Sequence, residues 1–264
     1  MDAPLPAPAT KHVGALQHPL PRSDVVLTLQ QRTATADGKK DTGTTGTTLW
    51  LGGQVLAAYL ASLPPPARGT AAVELGAGVG FLALSLAASG YDVLATDVEP
   101  VLSTVLAPNV DTGARQLPRG AGSATAALID WVAVADAVRA GTPPFASLSP
   151  AAAEHIARAD VVVTTDTLYA PYLIQPLWAT LKAICGPRDK PPAVYLCLER
   201  RDPRLVDAGL DAGREAGFEI RRVAHGRVAK ALDRAGWRWA PDDWAGVEVW
   251  RAKWKAAAAD AGEA

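Results

Sequence analysis

Val73-Glu74-Leu75-Gly76-Ala77-Gly78-Val79-Gly80 is the stretch on which the fold turns. It closes a short apolar run, Ala71 to Leu75, and opens a run of helical character, Phe81 to Ala88. A strand that breaks into glycines and resumes as a helix begins a βαβ unit. Glycine lets the backbone turn tightly and lets a ligand approach with no Cβ in the way. The helix N-terminus beyond it favours an anionic group. In open α/β sheets such a turn lies past the carboxyl end of a strand, where ligands bind.

The same rhythm extends outward. Upstream, Asp24 to Gln31 reads as a strand, Thr33 to Thr48 as a loop, and Leu49 to Leu63 as a helix halted by Pro64-Pro65-Pro66. Downstream, strands are expected at Tyr91 to Thr96, Ala124 to Ile129, Asp160 to Thr165 and Ala193 to Leu198. Helices are expected at Val101 to Val110, Leu173 to Ile184 and Leu205 to Ala216. Such alternation predicts a mostly parallel sheet. Phe218 to Ala224 and Val247 to Trp254 read as an antiparallel pair with no ordinary crossover helix between them. Val132 to Arg158 is longer than a usual connection and reads as an insertion or an extra helix. The expected fold class is α/β, a Rossmann-like seven-stranded mostly parallel sheet with helices on both faces and an antiparallel C-terminal strand. Residues 1–22, rich in Pro and Ala without a period, read as a flexible arm, 23–255 as the domain and 256–264 as an Ala-rich tail.

Bulk properties narrow the function. The 264 residues carry a formal net charge of −1, so no global charge draws the chain to nucleic acid or an anionic membrane. Met1 to Pro8 holds Asp2 and three prolines where a signal peptide needs basic then apolar residues. No apolar run reaches the roughly 18 residues of a membrane span. The expected location is the cytoplasm, with the nucleus also open. Two cysteines, Cys185 and Cys197, are too few for a disulfide framework and read as buried thiols. His12, His18, His155 and His225 are scattered without metal-ligand spacing, and no metal is expected. Nucleophile elbows and phosphate loops of the G-x-x-x-x-G-K type do not occur.

The spacing of the glycine loop selects among ligands. A dinucleotide fingerprint is G-x-G-x-x-G, whereas this loop is G-x-G-x-G with Glu74 just before it. A carboxylate beside a pyrophosphate is repelled. A methionyl group carries an amine and a carboxylate, so an acidic residue and amide donors both find partners. Asp97, 21 residues after Gly76, stands where a carboxylate accepts from ribose hydroxyls. Ile129-Asp130-Trp131 ends the third strand of the series, where an aromatic plane can pack on adenine and a carboxylate can accept from its amine. The expected cofactor is S-adenosyl-L-methionine, leaving as S-adenosyl-L-homocysteine. For Trp131 and Trp50 ordinary packing is the competing reading.

Taken in order, Thr48-Leu49-Trp50, VELGAGVG, Asp97, Asn109-Val110, IDW and Asp166-Thr167-Leu168-Tyr169 resemble the seven-strand protein-lysine methyltransferases of family 16. The resemblance runs from about Ser23 to Trp254 and is closest in feel to fungal elongation factor methyltransferases. It implies that Trp50, Glu74, Gly76, Ala77, Gly78, Asp97, Trp131 and Thr165 line the cofactor pocket, Thr165 through its backbone. Gly80 and Asp130 complete the expected cofactor set. Asp166 and Tyr169 would face a substrate lysine. The chain departs from the family pattern at Val132, where a glycine is common, and at Thr165, where Ala or Ser is common.

The implied chemistry is in-line methyl transfer to a lysine ε-amine of a protein, with elongation factor 1-alpha the first candidate substrate. Asp166 would orient the amine or take its proton, and Tyr169 would wall the channel by cation–π contact. Asp166 could instead cap the helix ahead of Pro171. A small-molecule methyltransferase and a non-catalytic cofactor-binding module stay open. Nucleic-acid amino-methylating enzymes carry an Asn/Asp-Pro-Pro-aromatic motif where this chain has DTLY, and a monomer acting without nucleic acid or membrane is expected. The cations from Arg214 to Arg238 and the five tryptophans from Trp237 to Trp254 read as a solvated face with an anchored hairpin, or as a dock for an acidic protein.

Overall fold

The computed structural model describes residues 3–32, 45–186 and 188–255. In chain order the elements are β1 (Ala15–Pro19), β2 (Val26–Gln30), α1 (Leu51–Ala61), β3 (Ala71–Leu75), α2 (Phe81–Ala88), β4 (Asp92–Asp97), α3 (Ala107–Ala114), β5 (Ala124–Leu128), α4 (Trp131–Ala140), α5 (Pro150–Ala157), β6 (Val161–Thr165), α6 (Pro171–Cys185), β7 (Ala193–Glu199), α7 (Pro203–Glu215), β8 (Phe218–Arg222), α8 (His225–Arg234) and β9 (Val247–Trp254). Seven strands form one sheet in the order β5-β4-β3-β6-β7-β9-β8, with β5 to β7 parallel and β9 antiparallel to both neighbours. This is the α/β sheet expected from the alternation, and its order reverses between β3 and β6, the switch point at which α/β sheets bind ligands.

Layering explains why β3 reads as an unbroken apolar run. All five of its residues are buried because both sheet faces are covered. One core holds α1, α2, α8 and the β1–β2 hairpin, and the other holds α4 to α7. Leu102–Leu106 forms a wide π-helical turn leading into α3, where Pro108 has no N–H to donate.

Two expectations are corrected. The arm expected over residues 1–22 is packed from residue 3 onward. Ala7, Leu16, His18 and Leu20 are buried, and β1 pairs with β2. Its anchor is Gln54, buried within α1, whose Oε1 accepts the Ala7 N–H at 2.7 Å and whose Nε2 donates to the Leu5 carbonyl at 3.0 Å. An amide inside the core satisfies the backbone of a segment too short to satisfy its own. Of the two readings left open for Val132 to Arg158, the extra helix holds, and the segment contains two capped helices. Asp130 accepts from the Val132 N–H to start α4, and Ser149 accepts from the Ala152 N–H ahead of Pro150 to start α5. A helix, α8, does separate β8 from β9. Its buried residues Val228, Ala231 and Leu232 fall at i, i+3 and i+4, a narrow stripe hidden in sequence by the surrounding cations.

Of the five C-terminal tryptophans, Trp237 and Trp244 are core residues. The Ala-rich tail expected over residues 256–264, and residues 33–44 of the expected loop, lie outside the described residues.

Candidate active site

The carboxyl ends of β3, β4, β6 and β7 open into one cavity of about 510 Å³, a size suited to a small-molecule ligand. It is lined by Trp50, Glu74, Gly76, Ala77, Gly78, Asp97, Asp130, Trp131, Thr165, Asp166 and Tyr169, among others.

The glycine turn is shaped by its neighbours. Gly76 and Gly78 have φ of +70° and +55°, in the left-handed region. A Cβ on Gly76 would lie 2.9 Å from Thr167 Cγ2 and 3.2 Å from the Trp131 ring, and one on Gly78 would lie 3.0 Å from the Gly46 carbonyl oxygen. The Ala77 N–H donates to the Thr96 carbonyl at 2.9 Å, tying the turn to β4. Gly80 is different. It is the residue before α2, and its missing Cβ makes room for Leu106 and Val110, so it packs behind the cavity rather than lining it.

Two carboxylates face the turn. Asp97 accepts the Gly78 N–H through Oδ2 and the Val98 N–H through Oδ1, both at 2.8 Å. Burial pushes its pKa up, while these two donors pull it down. Glu74 is 2% exposed, and its Oε2 is the one fully buried side-chain polar atom without a hydrogen-bond partner among the described residues. Burial drives its pKa well above the usual carboxylate range, and the nearby Asp97 adds to the rise.

At the far wall, Trp131 opens α4 and stands over the glycine turn, with exposed Asp130 at the rim. Thr165 ends β6 and also lines the cavity. Asp166 follows with φ of +54°. Its Oδ2 accepts the Gly52 N–H at 2.8 Å and its Oδ1 accepts the Glu199 N–H at 3.1 Å. Burial pushes its pKa up to about 6, against those two donors. The residue capping α6 is Ala170, so Asp166 does not cap that helix. Tyr169, 50% exposed, stands at the mouth. Trp50 precedes α1 and donates its indole N–H to the Thr45 carbonyl at 2.7 Å.

Sequence reading did not single out Glu199, Arg201, Gly52 or Lys11. Glu199 and Arg201 stand at the end of β7 and line the cavity, a position the rule of strand carboxyl ends could have flagged. Gly52 and Lys11 carry no local signal. Among the described residues the lining holds seven carboxyl side chains, those of Glu74, Asp97, Glu99, Asp130, Asp166, Glu199 and Asp202, against one cation, Arg201.

Residues 29–142 match the sequence model of the lysine methyltransferase family. The chain is therefore an S-adenosylmethionine-dependent methyltransferase, and the match spans Trp50, the glycine turn, Asp97 and Trp131. Comparison with curated proteins returns no match. Among solved structures, magnesium protoporphyrin IX methyltransferase from Synechocystis PCC 6803 with bound S-adenosylmethionine is 14% identical, with 77% of this chain and 80% of that chain covered and a TM-score of 0.44. Ribosomal protein L11 methylase from Lactobacillus delbrueckii subsp. bulgaricus is 15% identical, with coverage of 76% and 77% and a TM-score of 0.43. A methyltransferase from Streptococcus mutans is 9% identical, with coverage of 90% and 55% and a TM-score of 0.49.

The cavity fits the cofactor. The orphaned Glu74 oxygen is an acceptor waiting for a cationic donor such as a methionyl ammonium. Asp97 keeps a free lone pair on each oxygen for ribose hydroxyls, and Trp131 offers a ring for adenine. Among the described residues no group of three or more His, Cys, Asp or Glu is placed to hold a metal, and no helix is long and apolar enough to cross a membrane.

Proposed function

We propose that the chain transfers a methyl group to a lysine ε-amine of a protein substrate. The observation that carries this reading is the acidic make-up of the cavity: among the described residues seven carboxyl side chains line it against one arginine, with half-exposed Tyr169 at the mouth. Such a mouth attracts an ammonium and repels acidic metabolites. The family described by the matching sequence model is that of lysine methyltransferases. The wider resemblance makes elongation factor 1-alpha the first substrate to test, in the cytoplasm or the nucleus, with the enzyme acting as a monomer.

When bound, S-adenosylmethionine supplies an activated methyl group on a sulfonium. Glu74, the Gly76–Gly78 backbone, Asp97, Asp130 and Trp131 would hold it, with Trp50 and Thr165 closing the wall. The protein's remaining task is to align the acceptor and exclude water. Neutralising a lysine with an unperturbed pKa of ~10.4 near pH 7.4 costs about 4 kcal/mol. Partial desolvation in the cavity lowers that cost. Asp166 fixes the start of α1 against the ends of β6 and β7 and so positions Trp50, and its remaining lone pairs can orient the entering amine. Tyr169 would flank the aliphatic stem of the entering lysine.

The test is methyl transfer from isotope-labelled cofactor into a lysate lacking this protein. Label at lysine in one protein band is the expected result. Label confined to small molecules would replace the reading with a metabolite methyltransferase, and no label at all would reduce the chain to a binding module.

A further inference from the structure

Lys11 packs on a side chain that lines the cavity. Its Nζ lies 3.2 Å from the centroid of the Trp50 ring, and Trp50 lines the cavity. The turn that carries it is held by one buried side chain, Gln31. Gln31 Nε2 donates to the carbonyls of Thr10 at 3.0 Å and Val13 at 2.8 Å, and Gln31 Oε1 accepts the Leu49 N–H at 2.6 Å. One amide thus clamps both flanks of Lys11 to the residue preceding Trp50. A surface lysine needs no such scaffold.

The surroundings of Lys11 are those of an acceptor amine. The Arg201 guanidinium lies 4.3 Å from the same indole centroid, so the ring already holds a permanent cation and needs no second one for packing. Glu199 and Asp166, both cavity-lining, attract the charged form of Lys11 to this place. Burial, reinforced by Arg201, lowers the Lys11 pKa and enlarges the neutral fraction able to attack. An aromatic face beside carboxylates also retains a methylated ammonium. The other described lysines with a side-chain partner sit elsewhere, Lys182 over Trp254 and Lys255 beside Glu219.

We infer that Lys11 is a self-methylation site, presented in cis to the cavity by the Gln31 clamp and the Trp50 face. This rests on the proposed lysine methyltransferase activity. In the step, neutral Lys11 Nζ donates its lone pair to the methyl carbon of S-adenosylmethionine. The N–C bond forms, and the C–S bond breaks with its electrons retained by sulfur, giving the thioether S-adenosylhomocysteine. The proton lost by Nζ before attack leaves to water.

The full chain, incubated with S-adenosylmethionine bearing a deuterated methyl group, is digested and the peptide spanning residue 11 is read by mass spectrometry. The deuterated mark on Lys11 is expected, at a rate per molecule constant over a hundredfold range of protein concentration. Lys11→Arg should remove the mark while calorimetric S-adenosylhomocysteine affinity stays within twofold of wild type. Labelling of a lysate protein with an unmarked Lys11 would overturn this inference and leave the parent activity standing. A rate that climbs with protein concentration would overturn the cis presentation. Label on no lysine anywhere, with S-adenosylhomocysteine still bound, would overturn both.

Discussion

Asp166 and Gly52, 114 positions apart in sequence, are joined by a 2.8 Å hydrogen bond from the Gly52 N–H to Asp166 Oδ2. The other oxygen of the same carboxylate takes the Glu199 N–H. One side chain therefore joins the first turn of α1 to the ends of β6 and β7 at the mouth of the cavity. Gly52 permits this approach, because a Cβ there would stand 2.5 Å from Asp166 Oδ2.

Gly52→Ala should break that joint without altering any chemical group of the cavity. Forcing a methyl into so tight a contact costs about 1–3 kcal/mol. Lower stability in urea, together with a loss of kcat of tenfold or more, is the expected outcome. Wild-type stability and turnover would show that the contact relaxes freely.

Asp166 titrates near pH 6 in the free protein because burial opposes its charge. As pH falls through that value, one oxygen becomes an O–H donor facing a backbone N–H, and the joint is lost. The profile of log kcat/KM reports the free enzyme. Its slope, already near one from lysine deprotonation, should steepen toward two below about pH 6. Asp166→Asn carries an amide where a second acceptor is needed, so it should be at least tenfold slower and lack the steep limb. A slope of one down to pH 5 in the wild type would remove the role.

Glu74→Gln should stabilise the cofactor-free protein and weaken cofactor binding. Glu74 has a raised pKa, so its contribution to stability is present at low pH and lost as pH rises through the shifted value. The neutral amide escapes that loss, by about 1–3 kcal/mol for a group with an unpaired buried oxygen. It also forfeits the charge facing the cofactor's ammonium. Thermal unfolding should shift upward and S-adenosylhomocysteine affinity should drop at least tenfold. A lower Tm would show that the free protein favours the ionised carboxylate over a neutral amide at this site.

Gly76→Ala places a methyl 2.9 Å from Thr167 and against Trp131, at a φ of +70°. Calorimetry should show S-adenosylhomocysteine affinity falling at least tenfold, with urea stability reduced by about 1–3 kcal/mol. Unchanged affinity would move the cofactor away from the turn.

His18 governs acid stability. It is buried between Phe81 and Trp237, near Gln54 Nε2, and burial lowers its pKa to about 4. A depressed histidine favours folding while neutral, so stability is full above the unfolded value of 6.5 and falls as pH drops toward about 4. The shift is worth about 3 kcal/mol at its full extent. Urea unfolding at pH 7 and at pH 4.5 should show much of that loss in the wild type and a clearly smaller one in His18→Gln.

Sequence alone reached the sheet because its signals are local. The Val73–Gly80 turn, the apolar runs and the acids ending strands all act within a few residues of themselves, through backbone sterics and burial on two faces. Where a local signal was weak, the reading failed. The packed start of the chain depends on Gln54, 47 positions beyond Ala7, and α8 shows only three buried residues among its cations.

Local sequence by itself determined the strand order's raw material, the glycine turn, and the acids Glu74 and Asp97 at the carboxyl ends of their strands. Tertiary structure alone decided which carboxyl oxygen is left without a partner, that Asp166 spans two backbone donors, that Gly80 faces inward to Leu106 and Val110, and that Lys11 meets Arg201 over Trp50. The physical reason is range. Backbone conformation and burial periodicity are written in neighbouring residues, whereas desolvation and charge pairing depend on groups that only the closed sheet brings together.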